Sequence, residues 1–203
     1  KQMAFRIKRG LALALVCALM LGMALPAFAW GPSPEPTYKG MDVSEYQGSI
    51  DYAKVKESGV EIVYIRASVG NSFQDPYFLQ NYQNAKAAGL KVGFYHYLTA
   101  VNTLQAQQQA QFFASLMAKV EPDCRLAMDY ELFSGLDADT VNAIALEFMQ
   151  TTERLTGLDM VVYSDYSNAR YVFSSQIAQT YPLWIAQYGV EEPSDPGTWE
   201  NWV

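Results

Sequence analysis

The chain has 203 residues, of which half are hydrophobic and 14% aromatic, and this composition suits one globular domain with a full core. Its formal net charge is −7, which disfavours binding to nucleic acid or to anionic membranes. The single histidine, His96, excludes a multi-histidine metal site, and the sequence has neither a Walker loop nor a GxGxxG fingerprint. We therefore expect no metal and no cofactor.

Residues 1–29 have the three-part layout of a secretory signal peptide. A basic start and an apolar stretch, 11–25, precede Ala27-Phe28-Ala29, which matches a small-x-small cleavage site. We predict export with cleavage after Ala29, no stable membrane insertion afterwards, and a secreted or cell-wall-associated protein; the alternative is an uncleaved anchor. Cleavage would leave ten basic and 21 acidic residues, a net charge of −11, and Cys124 as the one cysteine, so an internal disulfide is excluded.

Strand and helix patterns alternate along the rest of the chain. Residues 30–37 contain three prolines and are predicted to form an extended linker, followed by one domain over residues 38–203. Six apolar segments predict strands: KGMDVS, VEIVYIRAS, LKVGFYHYL, CRLAMDYE, DMVVYS and PLWIAQYG. Helices are predicted over 49–59 (capped by Ser49 or Asp51), 75–89 (capped by Asp75), 102–120 (capped by Asn102), 137–157 and 168–179.

The alternation of strands and helices implies a parallel sheet covered by helices. A doubly wound open sheet and a β/α barrel both satisfy this pattern. Polar residues favour the barrel, because they lie toward the C-terminal ends of several strands rather than at one switch point. These residues are Asp42, Ser44, Arg66, Ser68, Tyr95, Tyr97, Asp129, Glu131 and Gln187.

Asp129 and Glu131, in LAMDYE, form the candidate catalytic pair. Because side chains alternate along a strand, both carboxylates would point the same way. A neighbouring carboxylate and partial burial raise the pKa of a carboxyl group, which supplies the protonated acid that glycosidic cleavage requires. The D-x-E spacing alone is a weak signal, since two solvated carboxylates at a strand end satisfy it equally.

Six motifs follow one another on successive predicted strands: KGMDVSEYQG, YIRASVG, GFYHY, LAMDYE, VVYS and LWIAQY. Together they resemble the N-acetylmuramidases of glycoside hydrolase family 25, the bacterial and phage lysozymes. The resemblance runs from about Tyr38 to the end of the chain. It implies an irregular, flattened β/α barrel, similar to a TIM barrel, that hydrolyses the β-1,4 bond between N-acetylmuramic acid and N-acetylglucosamine. The implied partner is the peptidoglycan glycan strand, and we expect a monomer.

The resemblance also implies roles for individual residues. Glu131 matches the general acid, and Asp129 the carboxylate that orients the substrate's 2-acetamido group, or a water, in a substrate-assisted mechanism. Asp42 matches the aspartate that holds the hydrogen-bond network of the acidic cluster. The substrate-binding candidates are Tyr95, Tyr163, Trp184, Arg66 and Gln187. For the aromatic residues a place in the core is the alternative, and for the arginine a structural ion pair.

The sequence departs from the family pattern at two places. Val69 stands where relatives commonly carry an acidic or polar residue. The chain stops at TWENWV, where relatives continue with a W-x-Q-Y strand and a further acidic residue. We therefore expect a fragment of a longer protein, with a barrel that is incomplete at its C-terminal end.

Three other functions are considered. A chitinase-like N-acetylhexosaminidase would carry a D-x-x-D-x-D-x-E run, but Leu126 and Ala127 stand where its earlier acids would be. A non-catalytic glycan-binding barrel would retain the carboxylates without turnover. A Ser-His-Asp triad would have to use His96 with Ser68 or Ser164, and no nucleophile elbow is present, so a packed, hydrogen-bonded histidine is expected.

Overall fold

The computed structural model describes residues 30–133 and 135–203. The predicted signal peptide, 1–29, lies outside them. The strands in the described ranges are β1 (Gly31–Pro32), β2 (Gly40–Val43), β3 (Ile62–Val69), β4 (Phe73–Gln74), β5 (Lys91–Tyr97), β6 (Leu126–Asp129), β7 (Met160–Asp165), β8 (Leu183–Ala186) and β9 (Asn201–Trp202). The α-helices there are α1 (Tyr52–Glu57), α2 (Phe78–Ala87), α3 (Thr103–Met117), α4 (Ala138–Thr156), α5 (Tyr166–Tyr171) and α6 (Ser175–Thr180), and a 3-10 turn spans Glu45–Gln47. Across these two ranges, no helix is long and apolar enough to span a membrane.

One curled sheet organises the molecule. Its strand order is β1-β9-β8-β7-β6-β5-β3-β2, every pair along this path is parallel, and β4 lies antiparallel to β3. Strands β3 and β8 stand four places apart, which would separate them by roughly 19 Å in a flat sheet. Yet the rings of Tyr64 on β3 and Trp184 on β8 have centroids 4.7 Å apart. The sheet is therefore a half-barrel, which confirms the predicted β/α barrel class over the open doubly wound sheet.

The two faces of the sheet have different compositions. The convex face is apolar, with Ile65, Phe94, Met128 and Val162 fully buried beneath the helices. The hydrophobic core lies there, between the sheet and helices α2, α3 and α4. The concave face instead carries polar and aromatic side chains at alternate positions, because successive side chains of a strand point to opposite faces. The hydrophobic core therefore lies on one side of the sheet, and the polar side chains of the other side are not covered by it.

Several predicted helix ends are confirmed. Asp51 caps α1 by accepting from the backbone N–H of Lys54, and Asn102 caps α3 by accepting from that of Gln105. Gly157 ends α4 in the left-handed conformation, at φ 70°, where glycine carries no Cβ penalty.

Two predictions about helices were wrong. Asp75 does not cap α2, which begins at Phe78 after a residue with no capping side chain. Its carboxylate is instead fully buried and pairs with Arg66. The single helix predicted over 168–179 is two short helices, because the side chain of Ser174 caps α6 and starts a new helix there.

The proline-rich segment 30–37 lies along the edge of the sheet. Gly31 and Pro32 pair in parallel with β9, and the backbone N–H of Ser33 donates to the Trp202 carbonyl at 2.7 Å. The indole N–H of Trp30 donates to the Pro193 carbonyl at 2.7 Å. The short strands β1, β4 and β9 were not predicted, since strands of two residues leave no periodic signal in the sequence.

Gly93 on β5 is required by the aromatic ring above it. A Cβ at this position would come within 2.5 Å of the Tyr64 ring, which is held by Trp184 and by its own hydroxyl bond to the Arg125 carbonyl. We expect Gly93→Ala to lower the free energy of unfolding by about 1–3 kcal/mol through overpacking. The matched control is Gly40→Ala, whose Cβ would meet no atom closer than 3.7 Å and which should change stability by less than about 0.5 kcal/mol. Urea unfolding of both variants checks this, and equal losses would contradict it.

Candidate active site

Four residues stand in one row across the concave face of the sheet. The strand register pairs Tyr97 with Asp129, Asp129 with Tyr163, and Tyr163 with Trp184. The rings of Tyr163 and Trp184 meet edge to face, with centroids 4.9 Å apart. Tyr97 and Asp129 are the last residues of β5 and β6, and the row continues across the middle of β7 to Trp184 on β8. The carboxyl group of Asp129 therefore lies among aromatic side chains at the C-terminal end of its strand, the end at which barrel active sites form.

Asp129 is the carboxylic acid of this row, and its pKa is strongly shifted. It is 8% exposed, and its Oδ1 atom is buried without a hydrogen-bond partner among the described residues. Burial, the charges of Glu131 and Asp42, and an opposing effect of Arg66 together raise the pKa of Asp129 to about 8. A carboxyl group in this state holds a proton at neutral pH and presents an oxygen atom that a ligand could engage.

Glu131 lies two residues beyond Asp129, just after the end of β6. Between them, Tyr130 is fully buried and its hydroxyl donates to the Ala100 carbonyl, so it points away from the concave face. Glu131 is half-buried, and burial together with the charges of Asp165 and Asp42 raises its pKa. Asp42 itself is exposed at the end of β2. The charges of Glu131 and Asp42 therefore act on Asp129, and the charge of Asp42 also acts on Glu131 across the half-barrel.

Arg66 is held in a buried ion-pair network. Its Nε donates to Asp75 Oδ2 at 2.9 Å and its terminal nitrogen to Glu45 Oε1 at 2.8 Å. Asp75 also accepts from the backbone N–H groups of Glu45 and Tyr77, so both of its oxygens are occupied. The arginine thus makes the structural ion pair that was its alternative, and it also lowers the pKa of Asp129.

The remaining predicted binding residues differ in how free their side chains are to contact a substrate. Tyr95 is half-buried, and burial followed by the charge of Asp42 raises its pKa. Trp184 packs between the rings of Tyr64 and Tyr163. The side-chain amide of Gln187 is bonded to Ser194 in the loop after β8. Its Nε2 donates to Ser194 Oγ at 3.1 Å, and its Oε1 accepts from the Ser194 backbone N–H at 2.7 Å. The cleft wall is therefore mainly aromatic.

His96 is a buried structural residue, as expected. Its Nδ1 lies 2.8 Å from Ser68 Oγ, and its Nε2 lies 3.1 Å from Gln109 Oε1, which fixes Nε2 as the protonated nitrogen. Histidine and serine are both 0% exposed, and burial lowers the pKa of His96 to about 4. The pair faces the helices and not the cleft, so the triad alternative has no geometric support.

Comparison with known proteins places this geometry in a family. Residues 41–203 match the model of Glycosyl hydrolases family 25. The chain belongs to glycosyl hydrolases family 25. It is 38% identical over 156 residues to the autolytic lysozyme of Clostridium acetobutylicum, covering 77% of this chain and 47% of that protein. It is 31% identical over 184 residues to lysozyme M1 of Streptomyces globisporus, covering 85% of this chain and 62% of that protein.

A solved lysozyme structure has the same architecture. The bacterial lysozyme of Streptomyces coelicolor superposes with a TM-score of 0.69 at 26% identity, covering 83% of this chain and 82% of that one. This family 25 chain spans about half the length of the Clostridium lysozyme and somewhat less than two-thirds of the length of the Streptomyces globisporus lysozyme.

Two acidic residues of this family 25 chain were missed as parts of the site. Asp165 ends β7 directly after the motif VVYS, and its charge raises the pKa of Glu131. Asp75 was interpreted as a helix cap, because an aspartate before a proline at a helix start is typical of one. A signal for Asp165 was available, since it follows the same strand end that carries Tyr163.

The buried carboxyl group of Asp129 makes stability depend on pH. Its pKa is raised above the unfolded value, so its favourable contribution is present below about pH 4 and is lost as the pH rises toward 8. We expect Asp129→Asn to leave stability unchanged at pH 4 and to raise it by about 5 kcal/mol at pH 8.5. Thermal unfolding of both proteins across pH 4–9 checks this. A variant that is less stable than the native chain at pH 8.5 would contradict it.

Proposed function

We propose that this chain is the catalytic part of an exported muramidase that cleaves the β-1,4 bond between N-acetylmuramic acid and N-acetylglucosamine in peptidoglycan. The observation that carries the proposal is the pair of carboxyl groups with raised pKa values, Asp129 and Glu131, on an open concave face lined by tyrosines. Membership of family 25 and similarity to two proteins named lysozyme support the substrate class.

The proposed mechanism uses the two acids in different roles. Before substrate binds, burial keeps the proton on Asp129. A substrate 2-acetamido N–H that donates to the unpartnered Oδ1 of Asp129 would stabilise the ionised form of this residue. Once Asp129 is ionised, the proton shared by the two acids resides on Glu131. Glu131 is closer to solvent and able to reach the leaving oxygen.

Bond cleavage follows from this charge distribution. The acetamido carbonyl oxygen attacks the anomeric carbon as the bond to the leaving oxygen breaks, and that oxygen takes the proton of Glu131. Ionised Asp129 stabilises the positive charge that develops on the acetamido group. Water then opens the cyclic intermediate and returns a proton to Glu131. Tyr97 and Tyr163, on either side of Asp129 in the sheet, supply hydroxyl groups and ring faces for the sugar.

The chain is proposed to act outside the cytoplasm, in the medium or on the cell wall. The basic and apolar pattern of residues 1–29 is the basis of this proposal. The acidic balance of the remaining chain disfavours anionic polymers as electrostatic partners, so recognition is proposed to depend on the sugars and the acetamido groups. The chain is proposed to be a monomer.

Incubation with two polymers tests the proposed function. The full chain is mixed with purified peptidoglycan and, separately, with chitin, and both soluble fragments and polymer-bound protein are measured. We expect soluble fragments from peptidoglycan and few or none from chitin. Binding to peptidoglycan without release would instead indicate a glycan-binding module, and release from chitin alone would indicate a chitinase-like enzyme; either result overturns the proposal.

A further inference from the structure

A small hydrogen-bond network joins the start of α5 to the backbone of Glu131. The side-chain amide of Asn168 donates to the Glu131 carbonyl oxygen at 3.1 Å and to Asp165 Oδ2 at 2.5 Å, which uses both of its hydrogens. Asp165 Oδ1 accepts from the backbone N–H groups of Ser167 at 2.7 Å and of Asn168 at 3.1 Å. The Asp165 carboxylate is therefore fixed in one orientation, and its neighbour Asn168 is fixed with it.

The strand register brings this network beside the acid. Asp129 on β6 is paired with Tyr163 on β7, so the positions two residues further along are Glu131 and Asp165. The chain stays beside β7 past the end of β6, because Tyr130 N–H donates to the Tyr163 carbonyl at 3.4 Å and Ser164 Oγ donates to the Tyr130 carbonyl at 3.0 Å. Glu131 is therefore held alongside Asp165 by contacts on both sides of its own peptide.

We propose that Asp165 and Asn168 are positioning residues for the acid of the proposed muramidase. Asn168 holds the backbone of Glu131 at the rim of the cleft, and Asp165 places a fixed negative charge beside the Glu131 carboxyl group. The claim that these residues position a catalytic acid rests on the proposed function. The claim that the charge of Asp165 acts on Glu131 does not depend on the proposed function. Neither residue touches substrate in this role; both act through Glu131.

Other charged and titratable groups near Glu131 determine how far the pKa of Glu131 changes when the charge of Asp165 is removed. Asp42 and Asp165 are the two charges that raise the pKa of Glu131, besides its burial. Glu131 in turn raises the pKa values of its neighbours on three strands: Tyr97 on β5, Asp129 on β6 and Tyr163 on β7. Arg66 provides the nearby positive charge, through its effect on Asp129. Removing the charge of Asp165 leaves all of these in place, so the protonated form of Glu131 should become less favoured without being lost.

Direct titration of Glu131 tests the electrostatic part without any need for activity. The side-chain carboxyl carbons of the full chain are labelled with ¹³C and followed by NMR against pH, and the Glu131 signal is assigned by its loss in Glu131→Gln. We expect Asp165→Asn, which keeps an oxygen to cap α5, to move the Glu131 titration to lower pH. Asp165→Ser provides a second neutral cap if the first variant does not fold.

The matched control is Asp51→Asn. Asp51 is likewise the carboxylate cap of a short helix, α1, and accepts from the Lys54 N–H at 3.2 Å, but it is not among the charges that act on Glu131. This control should leave the Glu131 titration where it is in the native chain. An unchanged titration in both Asp165 variants, or an equal shift in the control, would overturn the electrostatic part of the proposal.

Asn168→Ala separately tests the hydrogen bond from the Asn168 amide to the Glu131 carbonyl, called the tether below, because this substitution removes no charge. We expect kcat on peptidoglycan to fall about tenfold with KM little changed, since the acid is less well placed while the sugar contacts remain. Full kcat in this variant would overturn the tether. If the native chain releases no fragments at all, the proposed function fails and the tether to a catalytic acid fails with it, whereas the titration still decides whether Asp165 acts on Glu131.

Discussion

Glu131→Gln is expected to abolish most glycan cleavage while the protein stays folded and bound to peptidoglycan. Glutamine has nearly the same shape as glutamate but has no acidic proton for the leaving oxygen. General acid catalysis contributes about 10²–10⁴-fold to a rate, so we expect kcat to fall by at least about a hundredfold. The measurement is the initial rate of fragment release, with thermal unfolding and sedimentation with peptidoglycan recorded on the same samples.

The control for this variant is Glu57→Gln, at the exposed end of α1. It makes the same chemical change away from the concave face and should keep the full rate. Retention of more than about a tenth of the native rate in Glu131→Gln would contradict the assignment of the acid. The proton carried by Asp129 would then be the one that is donated, and Asp129→Asn would be the inactive variant.

Arg66→Met is expected to cause the largest loss of stability among the substitutions considered. Arg66 is 7% exposed, and its guanidinium pairs with Asp75, which is 0% exposed. Methionine fills much of the same space but leaves the Asp75 carboxylate buried without a positive partner. Breaking a buried pair from one side costs about 3–5 kcal/mol, which we expect to find by urea unfolding at pH 7. The double variant Arg66→Met/Asp75→Asn should recover part of this loss, because no fully buried carboxylate is then left unpaired, and Glu45, the other partner of Arg66, is partly exposed to water.

A surface ion pair supplies the comparison for Arg66. Lys86 bonds Asp123 at 2.8 Å, with both side chains about one-third exposed. Lys86→Met should therefore cost less than about 1 kcal/mol. Equal losses for Arg66→Met and Lys86→Met, or no recovery in the double variant, would contradict the account of the buried network. Arg66 also lowers the pKa of Asp129, so its removal should raise that pKa further.

Regular strands and helices, helix caps, and the acidic pair of the motif LAMDYE could be predicted from the sequence. The six longer strands alternate with helices, and their β-branched and aromatic runs gave the parallel sheet and the barrel class. Asp51, Asn102 and Gly157 were correctly placed at helix ends, because caps depend on local hydrogen bonds and on backbone conformation. Asp129 and Glu131 could be singled out because the strand period and the order of motifs both indicated them.

Long-range pairing limited the rest of the prediction. The pairing of Gly31 with Asn201 joins the two ends of the described chain, and no local pattern in either segment indicates it. Asp75 has the sequence context of a helix cap, and only the fold brings it to Arg66. Asp165 has the context of a cap as well, and it does cap α5, yet the register of β6 and β7 also places it beside Glu131. A residue that satisfies a helix-capping rule can also carry a charge that acts on the neighbouring strand, and the sequence alone then indicates only the cap.

The identity of the sugar at the new chain end tests the central claim most directly. Peptidoglycan is digested with the full chain, the new ends are reduced with borodeuteride, and the deuterium-labelled sugars are identified by mass spectrometry after hydrolysis. Cleavage of the proposed bond exposes N-acetylmuramic acid, so the label is expected in its reduced form and absent with Glu131→Gln. Label in reduced N-acetylglucosamine, or no label from the native chain, would contradict the account.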